Sequence, residues 1–92
     1  MNELEQARLI INDVDKEMIA LFKKRMGAAK MVAHYKIENN LPVLDIKREE
    51  ALKAKNLELL ADGELEEYYL TFIEGMLKAS KDYQKHLVES EK

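Results

Sequence analysis

Arg25, Lys36, Arg48, Glu49, Ser80 and Gln84 each stand where the local pattern expects another kind of residue, and together they could build a small cationic pocket. Arg48 is the plainest case. The stretch Leu44-Asp45-Ile46-Lys47-Arg48-Glu49-Glu50 reads as a helix start: Asp45 is a good N-cap and Glu49 and Glu50 suit the positive end of the helix dipole, whereas Lys47 and Arg48 oppose it. Taken alone, Arg48 pairs with Asp45 three residues back or points into water. Arg25 and Lys36 lie on one helix, about 20° apart around its axis and ~16 Å apart along it, so both can reach a common pocket. Ser80 and Gln84 continue by fours a row through Phe72 and Met76, which carries hydrogen-bonding groups onto an inner helix face. Each residue also has a plainer reading: Arg25 in a buried ion pair, Lys36 at a solvated helix end, Glu49 as a dipole partner, Ser80 and Gln84 on an exposed edge. Their joint occurrence favours the pocket, because burying several unpaired cations costs several kcal/mol unless an anion arrives. That anion is the expected ligand.

The rest of the composition narrows the chemistry. The chain has 92 residues, no cysteine and a formal net charge of −3. Thiolate metal sites are excluded, and His34 and His86 are too few and too far apart in sequence for a zinc site, so no metal or cofactor is expected. Lysine and arginine are spread along an acidic chain, which argues against nucleic acid as a partner and makes any anion site local. MNELEQARLI lacks a basic segment followed by an apolar core, and no run approaches the ~18 apolar residues of a membrane span. The expected compartment is the cytosol.

The elements that must hold these residues are helical. From Leu4 to Glu38 there is no proline, and a seven-residue repeat puts Leu4, Ile11, Met18, Arg25 and Val32 on one row, with Ala7, Val14, Leu21, Ala28 and Tyr35 on the next. One helix over about 4–38 is ~50 Å long, whereas a domain of this size should be about 30 Å across. An apolar stripe that overhangs its own domain needs another chain to cover it, so a helical homodimer is expected. Asn39-Asn40-Leu41-Pro42 ends the first helix. A second is expected over about 45–60, a turn at Asp62-Gly63, and a third helix over about 64–88 carrying Leu65, Tyr69, Phe72, Ile73, Met76, Leu77, Tyr83 and Leu87 at helical spacing, with a fraying HLVESEK tail. The expected fold is all-α: one domain over 1–92, three helices per chain, intertwined as a homodimer. Arg8 and Lys36 are about 42 Å apart on one straight helix and cannot share a site within one chain. If two long helices pair antiparallel, Arg8 of one chain approaches the Arg25–Lys36 region of the other, making each site composite.

Four motifs in order carry a family resemblance. Arg8-x-x-Ile11-x-x-x-Asp15, Lys24-Arg25-Met26 followed by Lys36, Pro42-Val43-x-Asp45-x-x-Arg48-Glu49, and Ser80-x-x-x-Gln84 resemble the pattern of the all-helical chorismate mutases over essentially the whole chain. The loop around Asp62-Gly63 is slightly short for that pattern. The resemblance implies the rearrangement of chorismate to prephenate in aromatic amino-acid biosynthesis, a one-substrate reaction needing neither nucleophile nor metal. It implies that Arg25 and the partner's Arg8 grip one end of the dicarboxylate and that Arg48 orients it near the other. Lys36 and Gln84 would donate to the ether oxygen, Asp45 and Glu49 would address the ring hydroxyl and its surroundings, and Ser80 would add a carboxylate contact. Lys47 stays a surface residue. The competing expectations are an isochorismate-pyruvate lyase, which shares an arginine and lysine framework, and a non-catalytic helical dimer, which explains the long seam but not the inward polar residues.

Overall fold

The computed structural model describes residues 1–91. Among the described residues the chain is all-α, with helices α1 (Glu3–Glu38), α2 (Ile46–Leu60) and α3 (Glu66–Ser90) and no strand. Its extents are 55 × 26 × 15 Å. Among the described residues no helix is long and apolar enough to cross a membrane.

Each helix end has a local cause. Asn2 opens α1, its side chain accepting from the Glu5 backbone N–H at 2.8 Å. At the other end Asn40 takes a left-handed conformation (φ 53°), and the Leu41 N–H reaches back to the Lys36 carbonyl at 2.8 Å, which satisfies orphan carbonyls of the last turn. Pro42 then prevents any continuation. Asp45 caps α2, its Oδ1 accepting from the Arg48 backbone N–H at 3.0 Å. The α3 start differs from expectation by two residues, because Asp62 holds the turn: its Oδ1 accepts from the Glu64 N–H and its carbonyl from the Leu65 N–H, both at 3.1 Å. The tail expected to fray is helical through Ser90, with Leu87 and Val88 half-buried under it.

α1 packs on α3, and α3 on α2. Polar links set the order along the α2–α3 seam: Glu49 meets Lys81, Lys53 meets Glu74, and Asn56 Nδ2 donates to the Tyr69 hydroxyl, so the two helices run antiparallel. The buried core is small: Ala29 and Ala33 of α1 and Ile73 and Leu77 of α3, with Ser80 and Gln84 continuing the same α3 face. Two alanines four residues apart let the helices approach closely. That contact face is not the heptad seam. Leu4, Ile11, Val14, Leu21 and Tyr35 of the two seam rows are all exposed, Leu21 by 62%.

The left-handed residue closing α2 is Ala61 (φ 49°), while neither Gly63 nor any other glycine has positive φ. A Cβ in that conformation is strained by roughly 1–2 kcal/mol relative to glycine. Ala61→Gly should therefore raise unfolding stability by about 1 kcal/mol despite the freer unfolded chain, measured by urea denaturation with an unchanged m-value. A fall in stability would show that Ala61 is held by contacts stronger than that strain.

Candidate active site

A cavity of about 340 Å³ lies where the C-terminal half of α1, the α1–α2 connection with the first turn of α2, and the C-terminal half of α3 converge. α1 supplies Arg25 and Lys36 from one face, with Ala28, Ala29 and Val32 as apolar wall between them. The connection and α2 supply Val43, Asp45, Arg48, Glu49 and Leu52, and α3 supplies Leu77, Ser80, Lys81 and Gln84. All four α3 residues lie on one stripe at three- and four-residue spacing, so a single helix face can present them together.

The polar atoms inside are only partly satisfied. Lys36 Nζ donates to the Val43 carbonyl at 2.8 Å, which ties the end of α1 to the connection and leaves two of the ammonium's three donors free. Gln84 is 8% exposed and its Nε2 donates to Ser80 Oγ at 3.3 Å, while its buried Oε1 has no partner among the described residues. A half-turn of the amide exchanges its ends: the Ser80 hydroxyl then donates to Oε1 and the –NH2 becomes the unpaired end. Either way one end of a buried amide waits for a partner. Leaving such a group unmet costs about 1–3 kcal/mol.

The charges are unbalanced in one direction. Arg25, Lys36, Arg48 and Lys81 line the cavity against Asp45 and Glu49, a formal excess of two positive charges. Among the described residues neither Arg25, Lys36 nor Arg48 makes an ion pair, so Arg48 does not pair with the Asp45 carboxylate that receives its backbone N–H. Of the cavity's charges, only Glu49 and Lys81 are paired among the described residues, Glu49 Oε1 lying 3.1 Å from Lys81 Nζ. An apolar-walled cavity with a cationic excess of two is suited to a small dianion.

The structure thus brings seven of the eight residues singled out from the sequence, Arg25, Lys36, Asp45, Arg48, Glu49, Ser80 and Gln84, into one cavity. Arg8 is not among them. It is exposed on the projecting end of α1, ~26 Å along the helix from Arg25. Lys81 was missed. The row of fours through Phe72 and Met76 leads to Ser80 and Gln84, but the adjacent row, Ile73 and Leu77, leads by the same step to Lys81. A second, larger groove of about 620 Å³, lined by Met18, Phe22, Tyr69, Phe72 and Met76 among others, is mostly apolar and has no comparable convergence of cations.

Comparison with known proteins bears on this cavity. The bifunctional chorismate mutase/prephenate dehydratase of Buchnera aphidicola subsp. Baizongia pistaciae (strain Bp) is 44% identical to the chain over 61 residues, 66% of the chain and 16% of that protein. The protein of the same description from Buchnera aphidicola subsp. Schizaphis graminum (strain Sg) is 37% identical over 70 residues, 76% of the chain and 18% of that protein. The chain thus spans less than a fifth of the length of these relatives. No solved structure matches it significantly. The sequence pattern of chorismate mutase type II matches residues 7–85, a span that starts just before Arg8 and ends just after Gln84, and on that match the chain belongs to the chorismate mutase type II family.

Proposed function

We propose that this chain, a single mutase domain over residues 1–92, converts chorismate to prephenate in the cytosol as an intramolecular transferase. The observation that carries the proposal is the cavity: four cations on helices, in excess by two over the carboxylates, beside a buried, unsatisfied amide. In the reaction the ether C–O bond breaks as a C–C bond forms within one molecule, so no proton or electron leaves it. Rate can come only from holding the reactive conformer and from stabilising the charge that develops on the ether oxygen. Arg25 and Arg48 bind the two carboxylates, guanidinium forks being suited to bidentate contact, and Ser80 adds a hydrogen bond. Lys36, anchored at Val43 with donors to spare, and the Gln84 amide, turned so that its –NH2 is the free end, donate to the ether oxygen. Asp45 and Glu49 accept from the ring hydroxyl and its surroundings.

The working unit on this proposal is a homodimer. The radius of gyration is 16.5 Å, against about 12 Å for a compact domain of this length. The surface of 7519 Å² exceeds by about 2,000 Å² that of a compact monomer of this mass, on the scale of a permanent interface. Leu4, Ile11 and Val14 of the α1 heptad seam are left exposed, and the apolar groove beside Phe22 and Phe72 offers a seat for the α1 of a second copy. In that arrangement the partner's Arg8 completes the carboxylate grip beside Arg25.

Incubated with chorismate, the protein should yield prephenate; pyruvate would mark a lyase and no product would end the proposal. Lys36→Ala should lower kcat by at least ~10²-fold with a smaller change in KM, since its ammonium meets charge that develops mainly in the transition state. Gln84→Glu should make activity rise toward acid pH, because a carboxyl group donates to the ether oxygen only when protonated and repels its charge when ionised. A pH–rate profile unchanged from wild type would remove Gln84 from that contact.

The composite site has its own test. Arg8→Ala and Arg48→Ala should each be nearly inactive alone, yet unfolding and refolding the two together should recover about a quarter of wild-type sites, since half the dimers are mixed and each mixed dimer has one intact site. If Arg8 serves its own chain, every site still lacks an arginine and nothing is recovered. Mass spectrometry confirms the heterodimers in either case.

A further inference from the structure

One cation in the cavity has no part in the roles above. Lys81 Nζ crosses from α3 to Glu49 Oε1 on α2 at 3.1 Å, with the Lys81 side chain 31% and Glu49 18% exposed. The other ion pair on this seam, Lys53–Glu74, is longer at 3.7 Å, has Glu74 62% exposed and lies outside the cavity lining. Two physical demands fall on Glu49. It is a carboxylate in a cavity proposed to receive a dianion, so two further negative charges arrive beside it, and repulsion in a partly buried site would swing an untethered side chain away. It must also offer an acceptor at a fixed point, although a glutamate side chain turns freely about several bonds and holds its place only when its neighbours fix it. Lys81 meets both demands at once, as countercharge and as tether. Glu49 Oε2 makes no hydrogen bond with the described residues and is the acceptor left for a ligand.

We propose that Lys81 is a positioning residue: its ion pair holds the Glu49 carboxylate in place against the incoming dianion, so that the second oxygen accepts from the substrate's ring hydroxyl. This rests on the reaction proposed for the same cavity. It differs from a direct role, in which Lys81 grips a substrate carboxylate itself, because a positioning effect vanishes when the group being positioned is removed. It differs from a purely structural role, because the neighbouring Lys53–Glu74 pair ties the same two helices together without entering the cavity.

The test is a double-mutant cycle on kcat/KM for chorismate. Lys81→Met, which keeps the apolar stem, should lose about tenfold, the scale of a displaced contact group, and Lys81→Arg should restore most of the loss. In a Glu49→Gln background the same Lys81→Met change should cost less than about twofold, the signature of two residues acting as one. Lys53→Met, read alongside by thermal denaturation, should lower the melting temperature comparably while leaving kcat/KM within about twofold. Equal losses from Lys81→Met in both backgrounds would overturn the proposal in favour of direct substrate contact. No loss in either background, or an equal loss from Lys53→Met, would overturn it in favour of a structural strut. If wild-type protein turns over no chorismate, the proposed function falls and this inference falls with it; wild-type turnover with any of the preceding failures removes the inference alone.

Discussion

The rest of the molecule follows from a mismatch of length. α1 has 36 residues, whereas α3, the helix it packs against, has 25. Only the later part of α1 has a helix beside it, and there Ala29 and Ala33 replace larger side chains so that the two backbones can close together. That contact occupies one narrow face. A heptad row drifts by about 20° per repeat around a straight helix, so the seam rows are exposed at Leu4, Ile11 and Val14 but reach the cavity at Arg25, Ala28 and Val32. The first turns, which carry Arg8, extend past the core with Leu4 and Ile11 exposed. Apolar surface left along a helix in this way is stabilised by whatever removes it from water.

The same packing explains why the site is polar. α1 and α2 each pack on α3 and not on one another, so a wedge is left between them, and whatever lines it is set by the helix faces turned toward it. Those faces carry cations at Arg25, Lys36, Arg48 and Lys81. In an apolar core of this size such a set would be unfavourable, and here it coexists with a buried amide that lacks one partner. Local stability is given up where a ligand can restore it. Catalysis by preorganisation needs donors that do not reorganise when charge develops, and helices supply that rigidity, while the connecting segment is tied to them by the Lys36 bond to the Val43 carbonyl and by the Asp45 cap on the Arg48 N–H.

Much of this was legible in the residues. Helical period, the asparagines before Pro42, the Asp45 cap and the overlong first helix are local matters, decided by covalent geometry and by hydrogen bonds between near neighbours, and they lead to three helices without any tertiary information. The convergence of Arg25, Lys36, Arg48, Glu49, Ser80 and Gln84 was also readable, since polar residues on rows that are otherwise apolar must face something. Tertiary structure alone decided which α1 face meets α3. Alanine is too small to announce itself in a hydrophobic pattern, yet its smallness is what allows close approach, so the Ala29–Ala33 contact was hidden behind the stronger heptad signal. It alone decided that Lys81 pairs with Glu49, because an ion pair between helices depends on their relative rotation, and a turn of α3 by one residue would carry Lys81 about 100° away from the cavity. Spacing along a chain determines which residues share a face; only packing determines what that face meets.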